Sequence, residues 1–444
     1  MVRLVDISRL VENLHLRTPT GIDRVEMAYV QHMLGRARSG GEAVRFIVTW
    51  PHLTGALDEA TARPLIESTA ARWSADGRDL DHDVAFAALK DELSRPFAVA
   101  PNRRQALRIG SSDGRAGVAD LARTASICLR SAAGGWLRRR LANVGQGGAC
   151  YFHTSQFRLH RPQRFAWLSD PAIRSVFFLH DIIPITHEEF CRPGEARRHA
   201  LRVATMVRHA AVIVANSAFT RTALAAHLDD LDVPAPPCEV VPLGLADIFL
   251  APPPTAPVAA AVPYFVVIGT IEPRKNLAFL LQAWNRWTGG GQKRQARLVI
   301  VGRRGWENEN VVDLLERSPG LAPSVIEVAS LSDAGMVALL RGARALLAPS
   351  LVEGFGLPVA EALALGVPVI ASAIDAHREV GDRFAEYINP LDGPGWVSAL
   401  EDYIRPDAER RPRRMADLHR YRPLAWSDHM ARVESIVERL RKLP

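Results

Sequence analysis

The stretch "SLVEGFGLPVAEALALGVPVIAS", residues 350–372, determines how the rest of the chain can be interpreted. It is almost wholly apolar or glycine, yet it carries two glutamates, Glu353 and Glu361. Burying an unpaired carboxylate is costly, so a segment this apolar needs a reason for holding two. Either they contact one ligand at two separate points, as the hydroxyls of a sugar nucleotide would require, or they act as a helix-capping acid and a structural salt bridge.

A helix is expected to begin a few residues after the first glutamate. Pro358 suits the first turn, because the amide hydrogen that it lacks would have no partner there. The preceding backbone amides would then face the space before the helix, and such a terminus attracts anions and polar oxygens. The glycines of this loop would let a ligand approach the backbone closely. The four residues concerned are Gly354, Phe355, Gly356 and Leu357.

Outside this stretch, apolar runs rich in β-forming residues alternate with helical patterns. Continuous apolar strands joined by helical crossovers are typical of parallel sheets covered on both faces. The sequence therefore predicts an α/β fold with two doubly wound, Rossmann-like halves facing each other across a cleft. The predicted strands form a first series at 2–8, 44–50, 175–182, 211–217 and 239–245, and a second at 264–270, 297–303, 325–331, 345–350 and 368–372.

The predicted boundary between the halves is the segment 250–263, which is free of charge and rich in proline and alanine, as interdomain linkers are. It separates an N-terminal domain, residues 1–249, from a C-terminal domain, residues 264–425. The N-terminal domain would carry an insert at about 51–150, where strand signals are few. A last helix within 426–444 is expected to pack back on the N-terminal domain.

The composition is that of an ordinary soluble globular protein, with 48% hydrophobic and 23% charged residues. The net charge of +7 permits nucleic acid, anionic lipid or phosphorylated ligands as partners without selecting among them. The four cysteines form no CxxC pair, which argues against a zinc site and fits a reducing cytoplasm. No signal peptide and no run long enough to span a bilayer is expected. The protein should be soluble or lie on a membrane surface.

Two adjacent cations follow the first strand of the second series, in "VIGTIEPRKNLAFLLQAW", residues 267–284. That strand ends near Gly269, and a short loop leads from it to Arg274 and Lys275. Ligands of doubly wound sheets bind beyond the carboxyl ends of the strands, where two cations suit a diphosphate. The alternative is a solvated charge pair.

Polar residues also follow two strands of the first series. His180 and Asp181 could be metal ligands, a general base or contacts to a sugar hydroxyl, and a purely structural histidine is the alternative. A metal would need more ligands than the nearby sequence supplies. In "TPTGIDRVEMAYV", residues 18–30, Gly21 and Arg24 could approach a phosphate or an acceptor. A single glycine is no dinucleotide-binding fingerprint.

Three of these motifs together resemble a known family. "HDIIP", "GTIEPRKNL" and "PSLVEGFGLPVAEALALGVPVIAS" occur in the order found in the retaining glycosyltransferases of family four, which have the GT-B fold. The spacing of Glu353 and Glu361 matches a hallmark of that family's donor domain. The resemblance is strong over residues 264–381, moderate over 175–245 and the first forty residues, and absent over about 51–150.

The resemblance implies a role for each candidate residue on the donor side. Glu353 would hydrogen-bond the donor hexose and Glu361 the ribose, while the amides of residues 354–357 support the sugar and the diphosphate. Arg274 and Lys275 would hold the phosphates and stabilise the departing nucleotide.

The resemblance also assigns residues on the other side of the cleft. His180 would contact the transferred sugar near the reacting carbon, and Gly21 and Arg24 would lie near the phosphates and the acceptor. The remaining candidates for donor binding are Asp181, Gly269 and the backbone from Val328 to Leu331, which would receive the base.

The implied reaction is the metal-independent transfer of a hexose to a glycan hydroxyl with retention of configuration. The favoured donor is GDP-mannose, a UDP-hexose is the alternative, and no cofactor or nucleic acid is implied. The acceptor would be a glycan or a lipid-linked oligosaccharide of bacterial surface polysaccharide. The basic amphipathic stretch around Trp136 could rest on an anionic membrane. Two rival interpretations are a sugar-nucleotide epimerase of the same fold and a non-catalytic sugar-nucleotide-binding scaffold.

Overall fold

The strands of this protein form two sheets. The computed structural model describes residues 1–16, 19–38, 43–78, 80, 83–96, 105–110, 126–127, 148–252, 255–289 and 294–442. Within these ranges the strands are β1 (Val2–Asp6), β2 (Val44–Thr49), β3 (Thr54–Asp58), β4 (Leu107–Ile109), β5 (Ala149–His153), β6 (Ile173–Leu179), β7 (Ala210–Ala215), β8 (Cys238–Val240), β9 (Tyr264–Ile268), β10 (Arg297–Val301), β11 (Val325–Val328), β12 (Leu346–Ala348), β13 (Val369–Ser372) and β14 (Glu386–Ile388).

Helices connect most consecutive strands and cover both faces of the sheets. In the same ranges they are α1 (Ser8–Glu12), α2 (Gly21–Arg38), α3 (Glu59–Arg78), α4 (Val84–Ser94), α5 (Ile183–Thr186), α6 (Glu195–His209), α7 (Ala218–Asp230), α8 (Asp247–Leu250), α9 (Leu277–Gly289), α10 (Glu309–Arg317), α11 (Asp333–Gly342), α12 (Leu357–Ala364), α13 (Asp375–Gly381), α14 (Gly393–Ile404), α15 (Arg410–Leu418) and α16 (Trp426–Arg441). Short 3-10 turns cover Pro162–Ser169, Glu188–Phe190, Pro273–Lys275 and Asp382–Phe384.

Both sheets are doubly wound. The first has the strand order β3-β2-β1-β5-β6-β7-β8 and the second β14-β13-β12-β9-β10-β11-β4, counted over the described residues. All neighbours are parallel except β2 and β3, which are antiparallel. The predicted α/β architecture of two parallel-sheet halves is therefore confirmed. Since carboxyl ends of parallel strands share one edge, the loops after the neighbouring strands β9 and β12 can meet.

The segment predicted as an insert of the first half is divided between the two sheets. β3 pairs with β2 at the edge of the first sheet, but β4 pairs with β11 in the second sheet. Helix α4 also belongs to the second half, because its Phe86, Leu89 and Leu93 pack in the same core as Val301 and Ile326. The sequence prediction placed residues 83–110 with the first half, and the strand register corrects that placement.

The C-terminal helix α16 packs against the first half. Its apolar face, formed by Met430, Val433, Ile436 and Val437, lies in the core that contains β1 and α2. Polar contacts reinforce this packing, since both guanidinium nitrogens of the buried Arg3 donate to Glu434 at 2.7 Å. The segment 424–426 therefore returns the chain to the half in which it began.

Within the described ranges, no helix is both long enough and apolar enough to cross a membrane.

Candidate active site

The loop before α12 has the geometry expected from its glycines and proline. Gly356 caps the helix with φ of 101°, a backbone conformation that favours glycine, and Pro358 lies in the first turn. A Cβ atom at Gly356 would lie 3.1 Å from Cδ2 of the buried His377. Helix α12 therefore begins at the predicted place, with its N-terminus directed toward the edge of the second sheet.

Glu353 lies at the centre of a cluster of charged side chains. Its Oε1 accepts hydrogen bonds from Lys275 Nζ and, at 2.7 Å, from Ser350 Oγ, and its Oε2 accepts one from Arg274 Nη1. Arg274 also forms an ion pair with the buried Glu272, 2.6 Å away. Glu353 is 7% exposed. Glu353 therefore does form the salt bridge that the sequence analysis gave as an alternative. Its partners are the two cations predicted to bind phosphate.

Burial and charge act against each other in this cluster. Burial alone would raise the pKa of Glu353, but Arg274, Lys275 and His377 outweigh it and hold that pKa well below its usual value. Burial lowers the pKa of Lys275, and Glu353 partly offsets that effect. Gly269, with φ of 143°, leaves room for Lys275, since a Cβ there would lie 3.0 Å from Lys275 Cε. The cluster is therefore a compact set of charges that compensate one another.

The same loop contacts the first half of the molecule. The carbonyl oxygen of Gly354 accepts a hydrogen bond from Ser217 Oγ at 2.7 Å. A Cβ atom at Gly354 would lie 2.4 Å from the carbonyl oxygen of His180, so only glycine fits there. Phe355 packs into the hydrophobic core of the first half. The loop before α12 is therefore the place where the two halves meet.

His180 follows β6 and is buried against this loop. Burial lowers its pKa to about 4, so the ring is neutral near pH 7. Its Nε2 lies 2.7 Å from the carbonyl oxygen of Thr154, which fixes Nε2 as the protonated nitrogen. Nδ1 then carries a lone pair that can accept a hydrogen bond from a hydroxyl. The neighbouring Asp181 accepts a hydrogen bond from the amide of Ile183 at 3.1 Å and so shapes the turn.

Glu361 and Arg24 face a different part of the cleft from Glu353. Together with Gly21, Leu357 and Asp333 they line a cavity of about 390 Å³ between the halves. Arg24 reaches across it and donates to both oxygens of Asp333, at 2.8 and 2.5 Å. Burial raises the pKa of Glu361 to about 8, although Arg24 lowers it. Glu353 and Glu361 thus line two different pockets.

The predicted base-binding backbone lies at the end of β11, next to β4. The amide of Ala329 donates to the carbonyl oxygen of Ile109 at 3.1 Å, and the amide of Ser332 donates to Asp83 at 2.8 Å. The side chains of Val328 and Leu331 are buried in the core of the second half. Part of the backbone expected to read a base therefore has partners within the chain, supplied by a segment that sequence analysis assigned to the other half.

Several residues of the site were not found from the sequence. Asp333, the partner of Arg24, and His377, beside Gly356, lie in ordinary helical segments, and Ser217 lies in a helix cap with no charge to mark it. Only their long-range contacts reveal them. Among the described residues, no three histidine, cysteine, aspartate or glutamate side chains are grouped so that they could hold a metal ion.

Comparison with known proteins finds a family model that matches part of the chain. Residues 262–404 match the family described as glycosyl transferases group 1. The serotype-specific mannosyltransferase WbdA of Escherichia coli is 29% identical over 51% of this chain and 29% of its own length. The O-antigen chain mannosyltransferase RfbU of Salmonella typhimurium is 32% identical over 33% of this chain and 40% of its own. The chain thus spans less than half the length of these relatives.

Solved structures extend the likeness over the whole chain. Sucrose-phosphate synthase from Thermosynechococcus elongatus superposes with a TM-score of 0.56 at 15% identity, covering 99% of this chain and 98% of the other. An α,α-trehalose-phosphate synthase (UDP-forming) from Burkholderia vietnamiensis gives 0.53 at 13% identity, covering both chains completely. At such low identity these neighbours show the fold alone, and that fold is the predicted one, with two Rossmann-like halves across a cleft.

Proposed function

We propose, from the premise that residues 262–404 are a glycosyltransferase group 1 domain within a GT-B fold, that this chain is a retaining, metal-independent mannosyltransferase. It moves mannose from a nucleotide sugar to a hydroxyl of a glycan. One observation carries the proposal: the buried Glu353 is shared between Arg274 and Lys275, where the two halves meet. A nucleotide sugar needs cations for its diphosphate and a carboxylate for its sugar hydroxyls, close to each other.

In this proposal the charged cluster binds the donor's diphosphate and hexose. Arg274 and Lys275 hold the phosphate oxygens and stabilise the charge that develops on the leaving nucleotide, which is where fixed cations contribute most to rate. Glu353 accepts hydrogen bonds from hydroxyls of the hexose. The amides of residues 354–357 support both groups from the N-terminus of α12.

The second pocket would receive the nucleoside part of the donor. Glu361 contacts the ribose, and Gly21 leaves the backbone of the first half open to the phosphates. Arg24, held by Asp333 on the wall of this pocket, would contact a phosphate oxygen of the donor. The base lies toward the end of β11, near Val328 and Leu331. The donor would therefore pass the loop 354–357, with its sugar on one side and its nucleoside on the other.

In this scheme the configuration is retained because the acceptor attacks the sugar on the same face from which the diphosphate leaves. The acceptor hydroxyl attacks the anomeric carbon, its proton passes to the leaving diphosphate, and the bond between the sugar and the diphosphate breaks. His180, neutral and with Nδ1 as acceptor, positions a hydroxyl of the transferred sugar. Asp181 shapes the turn that holds His180.

The names of the relatives support a role in polysaccharide synthesis. RfbU is an O-antigen chain mannosyltransferase, which favours GDP-mannose over a UDP-hexose and a lipid-linked glycan as acceptor. We place the chain in the cytoplasm, at the inner face of the cell membrane. The basic stretch around Trp136, expected to rest on anionic lipid, lies outside the described residues and stays a prediction.

The test is an assay of nucleotide release from GDP-mannose and from UDP-hexoses, each with and without a mannose-terminated glycan. We expect GDP to be released only with the acceptor and at the same rate when EDTA is added, and NMR of the product should show the donor's anomeric configuration. UDP release alone would refute the choice of donor. Conversion of the donor without an acceptor would indicate an epimerase, and nucleotide binding without turnover a scaffold.

A further inference from the structure

The second half carries an arginine-lined cavity that the proposed function does not use. It has a volume of about 780 Å³ and lies between α15 and the segment from α13 to β14. Its lining includes five arginines: Arg378, Arg383, Arg410, Arg413 and Arg414. Cavities of this size are typical of small-molecule sites. Like charges brought together around one space repel each other, so each needs a partner.

The carboxylates that line the cavity already have arginine partners. Glu386 pairs with Arg410, and Glu409 pairs with Arg413. Asp417, the third acid, has Arg420 as its partner at 3.8 Å. These acids therefore compensate the two paired arginines and contribute little to the other three.

Three arginines remain without such a partner. Among the residues that the structure describes, no carboxylate oxygen lies within 4.0 Å of a nitrogen of Arg378, Arg383 or Arg414. They are held in place by uncharged contacts. The guanidinium of Arg378 lies 4.9 Å from the centre of the Tyr387 ring, that of Arg383 lies 5.1 Å from that of Phe384, and Arg414 donates to the carbonyl oxygen of Arg383 at 3.0 Å. Arg378 and Arg383 are exposed, and guanidinium groups that lack an acid partner are suited to phosphate.

This cavity is separate from the candidate active site, although α13 borders both. His377 faces Gly356 and the charged cluster, whereas the next residue, Arg378, faces the cavity. The Tyr387 hydroxyl, whose ring lies under Arg378, is 3.1 Å from the carbonyl oxygen of His377. A ligand bound to Arg378 therefore acts on the same short helix that positions His377.

We propose that the cavity bounded by Arg378, Arg383 and Arg414 is a second binding site for a phosphate-bearing ligand. The recognised chemistry is a phosphomonoester or diphosphate group, held by guanidinium groups that have no acid of their own. Such a group is found on a free sugar phosphate or nucleotide and on the headgroup of an anionic lipid. The site does not depend on the proposed transfer reaction, because it uses none of the residues assigned to the donor.

The experiment measures hydrogen exchange of the full chain with and without pyrophosphate. At ten times its dissociation constant, pyrophosphate should slow exchange about tenfold in residues 409–418 and 376–388. In the Arg378→Ala/Arg414→Ala variant this protection should be lost, and in Arg378→Lys/Arg414→Lys it should be reduced. Arg286→Ala/Arg317→Ala is the matched control, because it removes the same charge from helices that do not line the cavity, and it should behave as the wild type.

A second arm replaces pyrophosphate by phosphatidylcholine vesicles, with or without phosphatidylglycerol. Protection by the phosphatidylglycerol vesicles alone would identify a lipid headgroup as the source, and protection by pyrophosphate a free ligand. If neither protects residues 409–418 of the wild type, or if the alanine variant is protected equally, the proposal is wrong. The readout needs no turnover, so it is independent of whether the chain transfers mannose.

Discussion

Glu353 is the shared partner of Arg274 and Lys275, so its removal would leave two buried cations without their carboxylate. Removal of one partner from a buried ion pair leaves an uncompensated charge, which costs more than the pair itself contributes. Glu353→Ala would therefore disturb the fold as well as the chemistry. Lys275 is the better residue to test, since Arg274 and Ser350 would still satisfy Glu353.

We expect Lys275→Ala to lower turnover on the order of 10²-fold, because the lost contact is to charge that develops in the transition state. The melting temperature should change little. The control is Arg303→Ala, a basic residue on the loop after β10, which should keep near-normal turnover. Steady-state release of GDP measures both, and near-normal turnover of Lys275→Ala would exclude its assigned role.

Glu361 should make stability depend on pH. Its pKa is raised in the folded chain to about 8, chiefly by burial, so the folded state keeps a proton that the unfolded state loses. The retained proton contributes fully to the free energy of unfolding below pH of about 4.5, and this stabilisation is lost as pH rises through about 8. Because Gln cannot ionise, the free energy of unfolding of Glu361→Gln should rise relative to that of the wild type by on the order of 2 kcal/mol between pH 5 and pH 9.

Urea unfolding at the two pH values measures this difference. The exposed Glu189→Gln serves as the control and should follow the wild type. Equal pH dependence in the wild type and Glu361→Gln would show that Glu361 does not retain its proton in the folded chain.

At the scale of elements, helix α12 depends on a glycine at each end. Gly356 and Gly366 both have positive φ, 101° and 71°, but only Gly356 has a neighbour in the way of a Cβ atom, His377. Both alanine substitutions should destabilise the chain by about 1 kcal/mol through backbone strain. Gly356→Ala should in addition displace the loop 354–357 and weaken donor binding.

Calorimetric titration with GDP-mannose, together with the melting temperatures of both variants, checks this prediction. Gly366→Ala is the matched control, since the strain is similar and the donor loop is untouched. A donor affinity of Gly356→Ala equal to that of Gly366→Ala would contradict the placement of the loop at the donor site.

Much of the second sheet could be predicted from the sequence, because its strands are continuous apolar runs with few competing patterns. All ten predicted strands form, with ends shifted by a few residues. Four of the described strands were not predicted: β3, β4 and β5 lie in or at the end of the segment interpreted as an insert, and β14 has only three residues, one of them Glu386. Arg24 was found, but its partner Asp333 was not, because the contact joins positions 309 residues apart. Local patterns carry no signal for such a pair.

Hydrogen bonds also join the two halves of the molecule directly. Glu379 of α13 accepts hydrogen bonds from the amides of Ala218 and Phe219 at the start of α7, so one half caps a helix of the other. Loss of a cap typically costs about 1 kcal/mol. Glu379→Ala should therefore leave each half folded and shift the molecule toward a more open cleft.

Small-angle scattering measures this shift as a larger radius of gyration for Glu379→Ala. Asp229→Ala, in the last turn of the same helix α7, is the control and should scatter like the wild type. An unchanged radius for Glu379→Ala would mean that other contacts, such as Ser217 with Gly354, hold the halves alone.

The path of the chain also bears on how the molecule can be divided. A cut within the segment 250–263 separates the second sheet from β4 and α4, and it separates the first core from α16. Each fragment then lacks part of the hydrophobic core of its half, so each should be insoluble or unstructured when produced alone. Mixed during refolding, the two fragments should recover a native complex, because each supplies the segment that the other lacks. A protein built in this way cannot exchange its donor half for that of a relative by one simple crossover of genes. Two separate pieces of the chain, the one that carries α4 and β4 and the one from β9 to α15, would have to be inherited together.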